Sequence, residues 1–257
     1  MILRTFITLI LAAGFLIDSN IFAQDLPDSL PKIADGVLLI DNFEDDEVST
    51  LPGKWFDQKV NRRVPEFPEE EKKKFKYKIL EENGNKFLRY EGNVPQHLNF
   101  PLGEVEGLNT YEYPILSWKW RPHVLPEGAR EDKDSKNDSV ASIYVVWEWK
   151  KILFKKVPRS VRYTWSSTLE VGANPSNLFG HQQIVVIRSG EEGLGEWHTF
   201  ERNIVEDYRK YYGEEPPEKP LAILLFSDAS STQTWAKNDF DDIMILKKDA
   251  QANLSAN

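Results

Sequence analysis

The sequence predicts an all-β protein, an antiparallel β-sandwich of jelly-roll type with one short flanking helix. Three observations carry this. Apolar residues recur with a period of two in several runs, ten such short runs are separated by Pro, Gly, Asn and Asp, and a single stretch carries helix caps at both ends.

The strands are expected, in order, as follows. Val37 to Ile40 opens the fold. Phe75, Tyr77 and Ile79 alternate with Lys74, Lys76 and Lys78, and Lys86 to Tyr90 follows. Leu116, Trp118 and Trp120 alternate with Ser117, Lys119 and Arg121, while Ile143, Val145, Trp147 and Trp149 share one face of the next run. Val161 to Trp165, Gln183 to Arg188, Trp197 to Arg202, Leu221 to Phe226 and Phe240 to Leu246 complete the set. The helix is expected from about Ile204 to Tyr212, with Asn203 as N-cap, Glu206 in a capping-box-like position and Gly213 at its end. Ile204 and Tyr208 should pack inward. The residues 190–195, Gly-Glu-Glu-Gly-Leu-Gly, read as a hairpin loop, since the acidic pair would repel a phosphate.

The first residues combine a basic start at Arg4, an apolar run from Thr5 to Ile17 and a small residue at Ala23, the three parts of a secretory signal. That run is shorter than the roughly 20 apolar residues a membrane span needs, so stable membrane insertion is not expected. Residues 1–23 are read as a signal peptide, 24–34 as a linker, 35–248 as the sandwich domain and 249–257 as a frayed tail. The expected location is the bacterial periplasm or the medium. The chain has no cysteine, so it has no disulfide and no lipoprotein signal; a domain of this length builds a sufficient core without such staples. Its net charge of −9 disfavours nucleic acid and anionic membrane surfaces as partners.

The runs Pro114-Ile-Leu-Ser-Trp-Lys-Trp-Arg121, Ser142-Ile-Tyr-Val-Val-Trp147 and Val186-Ile-Arg-Ser-Gly190 resemble a bacterial exported family, domain of unknown function three-thousand-and-forty-seven. So do Glu201-Arg202, Asp207-Tyr208-Arg209 and Gly213-Glu-Glu-Pro-Pro217. The resemblance covers nearly the whole folded unit and implies an exported β-sandwich, with no catalytic residues to carry over. A weaker likeness is to jelly-roll carbohydrate-binding and galactose-binding-like modules. It rests on Leu39-Ile-Asp-Asn-Phe-Glu-Asp45 followed by Trp55, and on Asn238-Asp-Phe-Asp-Asp-Ile-Met-Ile245, and it implies that the first and last strands pair.

Chemistry-bearing motifs are sparse. His97, His123, His181 and His198 are dispersed, no serine sits in a nucleophile elbow, and residues 132–138 lack the Gly and distal Glu of a calcium loop. The eight tryptophans admit two readings: a heavy aromatic core, or a platform on which sugar rings stack. On the second reading Trp55 and Trp149, nearest to loops, are the candidates for exposure, with Lys119, Arg121 and Glu148 as polar contacts. Asp41, Glu44 and Asp241 are candidate ligands for a structural calcium where the first and last strands meet, since converging carboxylates repel unless a cation lies among them. The function expected is therefore a non-catalytic glycan-binding protein. The alternatives are a carbohydrate-active hydrolase or lyase on the same scaffold, and a structural or assembly protein of the envelope.

Overall fold

The computed structural model describes residues 30–152 and 155–248; the expected signal peptide and tail lie outside the described residues. The strands are β1 (Val37–Asp41), β2 (Phe56–Asp57), β3 (Arg62–Arg63), β4 (Tyr77–Glu82), β5 (Asn85–Gly92), β6 (Gln96–Phe100), β7 (Ile115–Val124), β8 (Ser139–Ile152), β9 (Lys155–Ser166), β10 (Ser176–Asn177), β11 (Gln182–Ser189), β12 (His198–Asn203), β13 (Ala222–Asp228) and β14 (Ala236–Leu246). Two α-helices are described, α1 (Glu69–Lys72) and α2 (Ile204–Tyr212).

The strands form two sheets. One has the order β12-β7-β14-β5-β4, with β1 also paired to β14; the other runs β10-β11-β9-β8-β13-β6-β2-β3. The first and last strands pair as expected, Leu38 opposite Ile245 and Leu39 opposite Met244. One pair, β11 with β9, is parallel, so the sandwich is antiparallel except there. That pairing also corrects the hairpin expected at 190–195. β11 belongs to one sheet and β12 to the other, so the glycine loop carries the chain between sheets, with Gly195 N–H donating to Pro122 O at 2.7 Å.

The core lies between the sheets, where the period-two apolar residues meet. Leu116, Trp118 and Trp120 of β7 are buried, and Trp118 stacks on Tyr163 of the opposite sheet at 5.6 Å between centroids. Trp118 and Trp120 meet edge to face at 5.3 Å, and Trp147 meets Tyr208 of α2 the same way at 5.1 Å. Five of the eight tryptophans, Trp55, Trp118, Trp120, Trp147 and Trp165, are buried. The core reading thus accounts for most of them. At full burial each aromatic contributes on the order of 2–3 kcal/mol.

Helix α2 is capped as the sequence predicts. Asn203 Oδ1 accepts the Glu206 N–H at 3.1 Å, and Gly213 closes the helix in the left-handed region at φ 71°, donating to Arg209 O. Ile204 and Tyr208 are buried. Asp207 ties the helix to both sheets, accepting Arg202 Nε and Nη2 at 2.8 and 2.5 Å from β12 and the Tyr163 hydroxyl at 2.7 Å from β9. Beyond the cap, Arg209 forks onto Glu215 at 2.8–3.0 Å. The Glu-Arg…Asp-Tyr-Arg…Gly-Glu-Glu-Pro-Pro run is thus a docking device for the helix.

Candidate functional site

The site is built on the outer face of the β12-β7-β14-β5-β4 sheet. Period two places Lys119, Arg121 and His123 of β7, Asp239 and Asp241 of β14, and Phe87 and Arg89 of β5 opposite the core residues of those strands. Register then lines up Arg89, Asp239 and Arg121 straight across three strands, because Asp239 is opposite both arginines. Asp239 is fully buried and accepts Arg89 Nε at 2.6 Å, Arg89 Nη2 at 2.8 Å and Arg121 Nε at 2.8 Å. His123 Nε2 lies 2.8 Å from the same carboxylate and 3.2 Å from Arg89 Nη2. Burial alone would raise the Asp239 carboxyl; the hydrogen bonds and charges of His123 and Arg89 more than offset it and hold it below its ordinary value.

Arg121 reaches further. Its guanidinium also pairs with Glu82 of β4, and it sits 4.8 Å from the Phe87 ring centroid and 4.7 Å from that of Trp197. Phe87 and Trp197 meet edge to face at 5.7 Å. Trp197 stands just before β12 and is half-buried, so one part of the indole faces solvent.

One step along the sheet, Asp241 Oδ2 accepts the Asn85 side-chain N–H at 3.0 Å. Its carboxyl is pushed up to about 7, chiefly by burial, with the Asp242 charge adding to it against the Asn85 hydrogen bond. A register shift between Asp241 and Met244 puts Asp242 at φ 45° and re-aims it onto Lys119, 2.5 Å from Nζ. Asp241, Asn85 and Lys119 line a cleft of about 480 Å³ walled also by Phe87, Trp197, Glu82 and Arg121. Aromatic edges beside amide, carboxylate and guanidinium groups suit a ligand with apolar ring faces and hydroxyl rims.

The structure brings Lys119, Arg121 and Asp241 into this cleft and leaves the other sequence candidates elsewhere. Trp55 is corrected: it is buried in the core, 5.8 Å from Phe100, with its indole N–H donating to Asp41 Oδ2 at 2.9 Å. Trp149 is half-buried on β8 of the other sheet. Glu148, beside it, accepts the Tyr208 hydroxyl at 3.1 Å and pairs with Lys150 and Arg159, another clamp on α2. Asp41 also holds Lys54 Nζ at 3.0 Å, and Glu44 Oε1 accepts the Lys86 N–H at 2.9 Å. Among the described residues, no group of three or more His, Asp or Glu stands together as a metal nest. Phe87, Arg89, His123, Asp239 and Trp197 are not among the site residues expected from the sequence; the signal that marks Arg89, His123 and Asp239 is the alternation of charge on three strands that turn out to be neighbours, and Phe87 and Trp197 carry none.

The profile of a family described as "Protein of unknown function (DUF3047)" matches residues 54–244. No curated protein matches the chain. Among solved structures, the family 11 carbohydrate-binding module of the cellulosomal cellulase Lic26A-Cel5E of Clostridium thermocellum is 11% identical, over 84% of this chain and 96% of that one, with a TM-score of 0.38. The family 11 module from Clostridium thermocellum in complex with a β-1,3-1,4-mixed-linked tetrasaccharide is 8% identical, over 66% and 81%, at 0.31. A xylanase mutant is 10% identical, over 65% and 78%, at 0.28. Likeness at this level says nothing about the ligand of this chain.

Proposed function

The chain belongs to the DUF3047 family, and we propose that it is an exported glycan-binding protein whose ligand lies on the outer face of the β7-β14-β5 sheet. The observation that carries this reading is the half-buried Trp197 set beside Phe87 over Arg121, with Glu82, Asn85 and Asp241 within the same cleft. Sugar rings present apolar faces to an aromatic and hydroxyls to planar polar groups, and both are supplied here. The floor is pre-organised, because Asp239 locks two arginines before any ligand arrives. Export rests on the signal-like order of residues 1–23.

A second reading, a glycoside hydrolase, is favoured by one observation. Asp241 and Glu82 line the same cleft, and Asp241, pushed up to about 7, keeps a substantial protonated fraction near neutral pH beside a Glu82 carboxyl paired with Arg121.

A glycan array with the wild type and Trp197→Ala tests the binding reading. The variant should lose roughly tenfold or more in affinity, the worth of about 1.4 kcal/mol, while its Tm stays within a few degrees. No glycan bound by the folded wild type, or full binding by Trp197→Ala, would overturn it. Turnover of a bound glycan that Asp241→Asn abolishes without loss of binding would establish the hydrolase.

A further inference from the structure

The acidic chain carries a local excess of cations, Lys59, Arg62, Arg63, Lys72, Lys73, Lys74, Lys76 and Lys78. Four of these converge. A cleft of about 530 Å³ is lined by Lys59, Lys73, Lys74 and Lys76 together with Gln96, and Asp57 is its one carboxylate. Asp57 Oδ1 is already engaged, accepting the N–H groups of Lys59 and Val60 at 2.9 and 3.1 Å. Lys73 pairs with Glu70 at 2.7 Å, whereas Lys59, Lys74 and Lys76 have no carboxylate partner among the described residues.

The lysines are placed by the fold. Gln96 clips the segment that leads into β4, its Oε1 accepting the Lys76 N–H at 2.5 Å and its Nε2 donating to Lys74 O at 3.2 Å. The stem of Lys76 lies across Gly92, where a Cβ would come within 2.7 Å of Lys76 Cγ, so this glycine makes room for the side chain. Between them Phe75 packs edge to face on Phe67 at 5.2 Å, anchoring the segment. His97 lines the cleft, stacked on Phe226 at 4.2 Å, and burial followed by the charges of Arg162 and Lys59 lowers its pKa to about 3. Like charges that share one cleft repel one another, and an anion between them removes that cost. Lys73 and Lys76 also line a larger cleft of about 950 Å³ that reaches Arg89, the same arginine that anchors Asp239; there Lys72, Lys78 and Arg89 face Asp45, Asp46, Glu47, Glu69 and Glu91, so that cleft is balanced in charge and the cationic excess is confined to the smaller one.

We propose that the Lys59-Lys73-Lys74-Lys76 cleft is an anion subsite for the acidic groups, carboxylate or sulfate ester, of a polysaccharide that also engages the sheet face. This rests on the glycan reading of that face and names the substrate class as an acidic polysaccharide.

The test is calorimetric titration of the full-length protein with polygalacturonate, with dextran sulfate and with a neutral mixed-linkage β-glucan, at low and at high salt. The wild type should bind at least one acidic polymer, more weakly in high salt, and which one binds separates carboxylate from sulfate. Lys74→Glu with Lys76→Glu should weaken this binding by roughly tenfold or more, since opposing charge in a focused cleft acts strongly. Lys210→Glu, on the exposed side of α2, should not. Lys59→Glu, on a separate turn, gives the same reading should the double variant fail to fold. No acidic polymer bound by the wild type at low salt, or unchanged binding by both lysine variants, overturns the subsite. Binding lost in Trp197→Ala but kept in the lysine variants leaves the sheet face standing and removes the subsite. Acidic-polymer binding lost in the lysine variants but kept in Trp197→Ala does the reverse.

Discussion

Removing Asp239 is the sharpest test of the buried network on the sheet face. In Asp239→Ala, Arg89, Arg121 and His123 lose the carboxylate that all three share. Breaking a buried ion pair from one side costs about 3–5 kcal/mol, because the remaining charge is left uncompensated. The Arg89 and Arg121 side chains keep 19% and 10% of their exposure, so water relieves part of the strain, and Arg121 retains Glu82. The lower end, about 3 kcal/mol, is therefore expected. For a domain of this size that lowers Tm by roughly 6–12 °C. Urea denaturation and thermal melting at pH 7 read it directly. The acid limb adds a sign. Because the folded Asp239 carboxyl lies below its ordinary value of 3.8, its contribution is complete above that value and is lost only as pH falls through the depressed one. The gap between wild type and variant should then hold constant from pH 8 to about pH 4 and close below it. A variant within about 1 kcal/mol of wild type at pH 7, or a gap that closes already near pH 6, would refute the network as a desolvated cluster.

Other outcomes follow from the same geometry. Trp118→Ala, which empties the stack on Tyr163, should cost about 3–5 kcal/mol, and a loss under about 1 kcal/mol in urea melts would count against the core placement. Asp228 is buried beside Asp138, and burial with that neighbouring charge pushes it up to about 6. Its raised folded value means that stability falls as pH rises from about 4 to 6, and Asp228→Asn should remove a fall of about 2–3 kcal/mol in that window; identical pH profiles would refute this. Asp41 already holds the Lys54 ammonium, so chelation should leave the Tm unchanged, and a drop in chelator that Asp241→Ala abolishes would establish the calcium site instead.

The fold was legible where a face and a cap are local properties. Trp118 and Trp120 against Lys119 and Arg121 declare the two faces of β7 without any knowledge of its neighbours, and Asn203 with Gly213 brackets α2. It was illegible where the local signal is ambiguous. β6 reads Gln-His-Leu-Asn-Phe between prolines, and its outward His97 and Asn99 look like loop residues; His97 stacks on Phe226 and Asn99 is buried. The glycines at 190–195 look the same whether the chain folds back on its own sheet or crosses to the other, since the difference lies in which strands pair afterwards. Trp55 failed for a related reason. Its neighbours Gly53 and Lys54 mark a turn, yet the Asp41 carboxylate captures its indole and draws it inward.

The site lies in the dimension that the sequence does not write down. Lys119, Arg121 and His123 alternate along β7 as a solvated face would, and so do Asp239 and Asp241 along β14. Read one strand at a time, each row is ordinary surface charge. The network exists because β14, last in sequence, is inserted between β5 and β7, so that Asp239 faces an arginine on either side. Those contacts close 150 and 118 residues apart along the chain, respectively. The predicted pairing of the first strand with the last placed β14 beside β1 but left its other neighbours open. Trp197 is harder still, since it precedes its strand and acquires a role only when β12 adds to the edge of β7 and brings the indole over Arg121. Period two tells which way a side chain points; strand order tells what it meets. In a sandwich whose chemistry is assembled laterally, the second decides the site.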